Sequence, residues 1–378
     1  MNRYLRQEMI DWFSQEEIAR TRACVVGAGA VGNEVVKNLV LLGTGEIEIV
    51  DLDLVELHNL TRSVLFREAD VGRSKAEVAA TRAKELDPNV TISFRVGDFK
   101  QCMSPYRLQG FDCLIGCVDN FEARIYMNTI ARIAGVNFIN LGIDSRHALA
   151  ECYPFGSNST VACYECGLPP SAYDRMAQRY SCGHLKKIAY EERKIPTTIV
   201  TSSIVAALGT SMALRLGDRN SGEVASSRIL VDTIRGQSTV THSLAVGPGC
   251  PVCTRIPRDA VLIVGSRYQT SMLEFLADSL DEPLDSVLVI LSEPIVASAV
   301  CAKCGREPFD GKLRLRAARD LDEAARFCSS CGDTSVDINY VEECSLAEFN
   351  RVFVNTAVPI QYAILLSKAA PVCISFED

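Results

Sequence analysis

A glycine loop and the acid that follows the next apolar run form the first candidate site. Gly27, Gly29 and Gly32 have the spacing G-x-G-x-x-G, between a short apolar run and a helix-forming segment. These glycines allow a tight turn, so that backbone N–H groups can approach phosphate oxygens at the start of the helix. Asp51 ends the second apolar run, where a carboxylate can accept hydrogen bonds from both ribose hydroxyls. These residues alone fit an NAD-dependent oxidoreductase.

Charged residues beyond Asp51 favour a different reaction. Arg62 and Lys75 suit a triphosphate, whose charge must be stabilised during a displacement, whereas a hydride transfer does not need two cations. Each of them taken singly also fits a solvated surface charge. Asp119, at the carboxyl end of a buried strand, is either the N-cap of the next helix or a ligand of Mg²⁺. Nucleotidyl transfer to a carboxylate needs no catalytic base, because the nucleophile arrives ionised.

Cysteine pairs form the second chemical pattern. The chain has 16 cysteines, and eight of them fall into C-x-x-C pairs, each with a glycine directly beside it. The pairs are Cys163/Cys166, Cys250/Cys253, Cys301/Cys304 and Cys328/Cys331. A lone pair also fits coincidence or a redox motif, but two pairs complete a tetrahedral four-thiolate zinc site. The spacing therefore predicts bound Zn²⁺.

Cys182 is a candidate nucleophile. It lies in a polar segment in which Arg179, His184, Lys186 and Lys187 are close in sequence. Nearby cations lower the pKa of a thiol and increase its thiolate fraction. The alternative is a loop cysteine without a covalent role.

The elements around these residues alternate between strand and helix. We predict strands at 23–26, 46–50, 91–98, 112–119 and 136–143, and helices at 32–42, 71–86 and 120–135. Continuous apolar strands separated by helices indicate a Rossmann-like, mostly parallel α/β sheet with helices on both faces. Right-handed crossovers then place the glycine loop and Asp119 at the same carboxyl edge of the sheet.

The pattern changes after Thr254, which predicts a second domain. Strands are predicted at 259–266, 285–292 and 335–341, with a helix at 270–280 and another beginning at Ser345. We therefore divide the chain into residues 1–255 and a small α+β module, residues 256–378, with its own zinc.

Composition excludes some classes of function. The 378 residues are 48% hydrophobic and 23% charged, with a net charge of -8, which argues against broad binding to nucleic acid or an anionic membrane. The N-terminus lacks the apolar stretch of a signal peptide. The longest apolar run, Ile199 to Leu214, is interrupted by polar residues and predicts a buried helix. We expect a cytoplasmic protein.

Several short motifs, in this order, resemble those of the ThiF/MoeB adenylating enzymes and of the adenylation domain of ubiquitin-activating enzymes. The resemblance covers Met1 to Arg255. The matching words are RYLRQ, GAGAVG, VDLDLVELHNLTR, VGRSKAEVA, CVDNFEAR, CYEC and CPVC. It implies that the loop binds ATP rather than NAD. The enzyme would adenylate the C-terminal glycine of a small ubiquitin-like protein and release pyrophosphate.

The resemblance also implies a role for each matching nucleotide-site residue. Asp51 would bind the ribose, and Asp53 would lie near the phosphates. Asn59, Arg62 and Lys75 would bind the triphosphate.

Further roles implied by the resemblance concern metals and partners. Asp119 would bind Mg²⁺, and Arg6 would enter the partner's active site in a homodimer. Cys182 lies in the segment that carries the thioester-forming cysteine of ubiquitin-activating enzymes, so a conjugating enzyme would be the next acceptor. The family's structural zinc pairs match Cys163, Cys166, Cys250 and Cys253. The zinc assigned to Cys301, Cys304, Cys328 and Cys331 rests on spacing alone.

Other functions stay open on the sequence. A sulfur-carrier protein could be the adenylated partner, although no C-terminal rhodanese-type domain is evident, and a small peptide is a further variant. The C-terminal module could instead make the chain a zinc-binding scaffold with a vestigial nucleotide site. An NAD-dependent oxidoreductase is the remaining alternative.

Overall fold

The chain folds into two compact units. The computed structural model describes residues 2–156, 161–169, 171, 197–217, 224–256, 260–266, 282–311, 314, 316–317, 321, 327–334, 336–353, 360–368 and 371–377. The first unit comprises Met1–Met103 and Arg107–Arg258, and the second comprises Ser104–Tyr106 and Asp259–Asp378.

An 8-stranded sheet forms the centre of the first unit. Its strands are β1 (Arg22–Val26), β2 (Glu46–Asp51), β3 (Thr91–Val96), β4 (Cys113–Gly116), β5 (Asn137–Ile143), β6 (His147–Tyr153), β7 (Ser227–Asp232) and β8 (Gln237–Thr241). The order across the sheet is β3-β2-β1-β4-β5-β6-β7-β8. The pairs from β3 to β5 are parallel, and those from β5 to β8 are antiparallel.

Helices cover both faces of this sheet. The described helices between residues 15 and 255 are α1 (Gln15–Arg20), α2 (Ala30–Leu42), α3 (Lys75–Leu86), α4 (Phe99–Cys102), α5 (Pro105–Leu108), α6 (Phe121–Ala134), α7 (Ile199–Gly217) and α8 (Pro251–Arg255). Of these, α5 begins with two residues that belong to the second unit. Helices α2, α3 and α7 share one apolar core with alternate residues of β1, β2 and β5. Helix α6 covers the other face, where Met127 and Phe138 pack over Gly116.

Helix α7 corresponds to the longest apolar run of the sequence. Among the described helices it is the one that is long and apolar enough to cross a membrane by length and composition alone. It packs against α2, β5 and β6, and its Val205 and Ala206 are fully buried. The helix therefore serves as a core element of the first unit, as predicted.

The second unit is a 5-stranded sheet with one described α-helix. Its elements are β9 (Val261–Ser266), β10 (Leu288–Cys301), β11 (Val336–Ser345), α9 (Leu346–Phe353), β12 (Tyr362–Leu366) and β13 (Val372–Glu377). The order is β11-β10-β12-β13-β9, with only the β13–β9 pair parallel. The predicted fold class, an α/β domain followed by an α+β module, is confirmed.

Some predicted boundaries were wrong for local reasons. The helix predicted at 71–86 begins at Lys75, because Gly72 has a φ of 89° and the Ser74 hydroxyl caps the helix at Glu77 N. Strand β10 extends nine residues beyond its predicted end at 292, to Cys301. The helix predicted at 270–280 lies outside the described residues.

Candidate functional site

The glycine loop folds tightly between β1 and α2. Gly27 has a φ of 93°, and its amide donates to Val50 O at 2.8 Å. A Cβ on Gly32 would lie 1.8 Å from Gly27 O, and one on Gly27 would lie 2.8 Å from Cys117 O. Both positions therefore require glycine on steric grounds. The loop leaves the N-terminus of α2 facing the carboxyl edge of the parallel strands, where anions bind favourably.

Asp51 holds the loop from the end of β2. Its carboxylate accepts a hydrogen bond from Ala28 N at 2.5 Å and another from Asp53 N at 2.7 Å. Burial raises the pKa of Asp51, and these two amides oppose part of that rise. Because a carboxylate has about four acceptor positions, the two amides leave acceptor capacity for ribose hydroxyls.

Lys75 lies at the first position of α3 and points back to the end of β2. Its ammonium is 2.8 Å from the Asp53 carboxylate, and its side chain is only 11% exposed. Its own amide donates to Asp53 O at 2.9 Å, so the backbone fixes the same pair. The structure therefore brings three of the predicted residues, Asp51, Asp53 and Lys75, together beside the glycine loop.

Arg62 and Asn59 lie in the loop that connects β2 to α3. The Arg62 guanidinium donates to His58 O at 2.8 Å, while the Asn59 side chain is buried and accepts from Glu56 N at 2.9 Å. The structure thus gives Asn59 a role in shaping this loop.

Asn33, in the first turns of α2, connects that loop to the glycine loop and was not predicted. It is fully buried, and its side-chain amide donates to Ala28 O at 2.6 Å and Gly29 O at 3.1 Å. Its Oδ1 accepts from Leu65 N at 2.9 Å, three residues after Arg62. The contact explains how two loops distant in sequence keep a fixed separation.

Asp119 follows β4 at the same carboxyl edge. The alternative role as N-cap of α6 was wrong, because the N-cap is Asn120, whose side chain accepts from Ala123 N at 2.8 Å. Asp119 itself is exposed. Cys117, two residues earlier, donates its amide to Val26 O at 2.8 Å, which ties the start of this turn to the residue before the glycine loop.

The N-terminal segment that carries Arg6 is attached to the far end of α2. Tyr4 and Arg3 both bind the buried Asp87 carboxylate, and Gln7 donates to Leu41 O at 3.1 Å. Burial alone would raise the pKa of Asp87, but the hydrogen bonds from Arg3 and Tyr4 outweigh it and lower the pKa to about 2. The Arg6 side chain is exposed on this segment.

The attachment of this segment should depend on the Asp87 charge. Because the folded-state pKa lies below the unfolded value, the stabilisation is complete above about pH 4 and is lost as the pH falls through about 2. An Asp87→Asn variant should release the segment at neutral pH. Hydrogen bonds to charged groups contribute about 1.5–3 kcal/mol, so amide hydrogen exchange at Gln7 and Glu8 should accelerate about tenfold or more.

Asp98→Asn provides the control for this variant, because it makes the same change to another carboxylate of the first unit, the one that caps α4. Unchanged exchange at Gln7 and Glu8 in Asp87→Asn would show that other contacts hold the segment.

A four-cysteine cluster joins the two pairs predicted from the first unit. The Sγ–Sγ distances are 3.6 Å for Cys163–Cys250, 3.5 Å for Cys166–Cys253 and 3.8 Å for Cys163–Cys166. A tetrahedral site with Zn–S bonds of about 2.3 Å requires about 3.8 Å between its thiolates. The geometry of the four sulfurs therefore fits Zn²⁺.

The second unit contains a matching cluster. Its Sγ–Sγ distances are 3.7 Å for Cys301–Cys331 and 3.5 Å for Cys304–Cys328. Each pair ends in a left-handed glycine, whose amide donates to the first cysteine's carbonyl at 2.8 Å: Gly305 to Cys301 and Gly332 to Cys328. The two turns have the same hydrogen bond, and the sulfur separations are close to the roughly 3.8 Å of a tetrahedral site, so this cluster also fits Zn²⁺.

Comparison with known proteins identifies the family. A model of the ThiF family matches residues 2–265. The chain belongs to the ThiF family. It is 26% identical over 266 residues to the SAMP-activating enzyme E1 of Haloferax volcanii, covering 67% of this chain and 88% of that protein. It is 29% identical over 273 residues to the sulfur carrier protein adenylyltransferase of Thermus thermophilus, covering 70% and 94%.

A solved structure is similar in fold. The chain resembles Escherichia coli MccB with ATP, with a TM-score of 0.53 and 23% identity over 67% of this chain and 74% of MccB. The predicted family and the prediction of an ATP-dependent adenylating enzyme are thereby confirmed, and the ThiF family assignment supports ATP over NAD. Cys182, the predicted nucleophile, lies outside the described residues.

Proposed function

We propose that this ThiF-family enzyme adenylates the C-terminal glycine of a ubiquitin-like protein and then accepts it on Cys182. In the first step the glycine carboxylate attacks the α-phosphorus of ATP, the bond to the β-phosphate oxygen breaks, and pyrophosphate leaves. In the second step the Cys182 thiolate attacks the acyl carbon and AMP leaves, which forms a thioester. A cysteine of a conjugating enzyme would then take the acyl group by thiol exchange.

The arrangement of Asp51, Asp53 and Lys75 beside the glycine loop carries this proposal. Asp51 suits the ribose, and the loop amides and Lys75 suit the phosphates, which need positive partners during displacement. Arg62, held in the neighbouring loop, adds a second cation. The set fits a nucleoside triphosphate better than a nicotinamide dinucleotide, because it supplies two cations, which a triphosphate displacement needs and a hydride transfer does not.

We propose that Asp119 holds Mg²⁺ against the phosphates. Mg²⁺ is bound in such sites by one or two carboxylates together with phosphate oxygens, and Asp119 supplies an exposed carboxylate next to the glycine loop. The metal would neutralise phosphate charge during the displacement. Each four-cysteine cluster would hold one structural Zn²⁺, in which all four ligand positions are filled by thiolates.

Arg6 would act in the active site of a second copy. Its segment is attached to the C-terminal end of α2, and the glycine loop lies at the other end of this 13-residue helix, about 20 Å away. An arginine side chain cannot span that distance within one chain. Leu5, Met9 and Trp12 are 59%, 75% and 72% exposed on the same segment, an apolar surface that a homodimer would cover.

The thioester step is tested by a Cys182→Ala variant. We expect it to keep ATP–pyrophosphate exchange, because adenylation precedes the cysteine, and to lose the adduct that dithiothreitol cleaves. The readouts are radiolabelled pyrophosphate incorporation and non-reducing gel electrophoresis with a candidate ubiquitin-like protein. Cys102→Ala is the matched control, since Cys102 is a partly exposed cysteine of the first unit that belongs to neither four-cysteine cluster.

Two outcomes would contradict the thioester step. An adduct that persists in Cys182→Ala would place the thioester on another cysteine. Loss of exchange together with the adduct would show that Cys182 has a structural role.

A sulfur-carrier protein is the second candidate substrate, favoured by the match to almost the whole length of the Thermus thermophilus adenylyltransferase. Mass spectrometry of the modified partner separates the outcomes: a thiocarboxylate indicates sulfur transfer, and a thioester with this enzyme indicates conjugation. A stable AMP-linked peptide would indicate the peptide variant.

The second unit lies almost entirely outside the ThiF match, and we propose that it binds the partner that receives the acyl group. The scaffold alternative predicts that the wild-type chain fails to exchange pyrophosphate with every candidate carrier.

The cytoplasm is the proposed location of the protein.

A further inference from the structure

A row of buried polar side chains crosses the sheet close to the proposed magnesium ligand. Asn140 of β5 pairs in register with Glu151 of β6, which pairs with Arg228 of β7. Side chains in register on adjacent strands point to the same face of a sheet. Asn140 and Glu151 are each only 1% exposed, so their polar groups must be satisfied within the protein.

Hydrogen bonds connect this row to the turn that carries Asp119. Arg228 binds Glu151 Oε1 through Nε at 2.7 Å and through Nη2 at 2.6 Å. The other carboxylate oxygen of Glu151 accepts from Asn140 Nδ2 at 2.7 Å. Arg124 of α6 links this row to the turn, because its guanidinium donates both to Asn140 Oδ1 and to Val118 O. Val118 immediately precedes Asp119.

The charge of Glu151 sets which group donates and which accepts in each hydrogen bond of this row. An ionised carboxylate only accepts hydrogen bonds, so Asn140 must turn its amide nitrogen toward Glu151. Its amide oxygen then faces Arg124, which needs acceptors because a guanidinium only donates. Arg124 is thereby held in the position from which it binds Val118 O. A neutral, donating side chain at position 151 would let the Asn140 amide rotate by half a turn and present N–H groups to Arg124.

We propose that Glu151 is a positioning residue for adenylation, which acts through Asn140 and Arg124 to fix the turn that carries Asp119. The inference rests on the proposed function, in which Asp119 holds Mg²⁺. Groups that orient a metal ligand typically affect metal affinity or activity by about 10–100-fold. Glu151 therefore controls how much Mg²⁺ increases the affinity for ATP, although it lies two strands away from β4 in the sheet.

The test compares Glu151→Gln with Glu48→Gln. Glu48 is the matched control, since it is also a buried carboxylate of this sheet paired with an arginine, Arg95, at 2.8 Å. Without Mg²⁺, calorimetric titration should give the same ATP affinity for the wild type and for both variants. With Mg²⁺, the gain in affinity should fall about tenfold in Glu151→Gln and stay at the wild-type value in Glu48→Gln.

Hydrogen exchange provides a readout without nucleotide. Amide exchange at residues 118–121 should accelerate in Glu151→Gln and stay unchanged in Glu48→Gln. If Glu151→Gln does not fold, Arg124→Gln makes the same test, because it leaves the Glu151–Arg228 pair in place. If Mg²⁺ increases the ATP affinity of the folded variant as much as that of the wild type, the proposal is overturned.

The outcomes separate this inference from the proposed function. A wild-type chain that binds ATP with a Mg²⁺ gain but exchanges pyrophosphate with no carrier would refute the proposed substrate and leave the positioning role standing. A wild-type chain without any Mg²⁺ gain would refute the positioning role. A changed Mg²⁺ gain in both glutamine variants would assign the effect to general loss of sheet stability.

Discussion

A Lys75→Met substitution is expected to slow ATP–pyrophosphate exchange by about 10²–10³-fold, the effect of removing one donor that stabilises transition-state charge. Lys75 is 11% exposed and paired with Asp53, so its ammonium is held in place before nucleotide binds. Methionine keeps the length of the aliphatic stem and removes the charge. If the charge acts mainly on the transition state, kcat should fall much more than ATP affinity.

Lys84→Met is the control for this prediction. Lys84 lies on the same helix, nine residues further along and thus about 13 Å away, and its ammonium donates to Val90 O at 2.8 Å. The exchange rate of both variants should be measured with a carrier that supports exchange in the wild type. Equal rates in the two would show that the Lys75–Asp53 pair is only a structural ion pair.

The nucleotide loop was predictable because its constraints are local. Gly27 and Gly32 are required by contacts of under 3 Å within the strand–loop–helix unit and its neighbouring strand, and that requirement appears in the sequence as a fixed spacing. The resemblance added Asp53, which lies 22 residues before Lys75 yet shares an ion pair with it. Composition and periodicity alone did not indicate that pairing.

Asn33 and Arg124 could not be predicted because their roles depend on contacts made after the sheet has formed. Asn33 joins α2 to a loop 32 residues later, and Arg124 reaches a side chain on β5. An asparagine or arginine within a helix has many ordinary surface roles. The available signals were the position of Asn33 directly after GAGAVG and that of Arg124 at the end of CVDNFEAR.

The antiparallel half of the large sheet was also missed. Every residue of β8 is exposed, so the strand lacks the alternation of buried and exposed positions that marks a half-buried strand. The alternative role of Asp119 as N-cap of α6 was off by one residue, because Asp119 and Asn120 are equally good capping types. Tertiary contacts decide the strand, whereas the cap depends on which of two neighbouring side chains accepts from Ala123 N, and a single sequence displays neither.

Loss of one thiolate from the first cysteine cluster is expected to unfold the first unit. Structural zinc sites contribute about 10–16 kcal/mol of apparent binding free energy, whereas whole domains are stable by about 5–15 kcal/mol. Cys253→Ser should therefore lower the bound zinc from two ions per chain to one and abolish ATP–pyrophosphate exchange. The cluster joins the segment after β6 to helix α8, so its loss removes a cross-link between distant parts of the chain.

Cys331→Ser provides the matched substitution in the second unit. Its cluster is formed by residues of that unit alone, and each unit has its own apolar core. Elemental mass spectrometry should also find one zinc ion per chain in this variant. Its ATP–pyrophosphate exchange and the thermal transition of its first unit should stay at the wild-type values. This contrast distinguishes loss of one site from general damage by a serine substitution. Two zinc ions retained in Cys253→Ser, or exchange at the wild-type rate, would show that the first cluster does not stabilise the adenylation site through a metal.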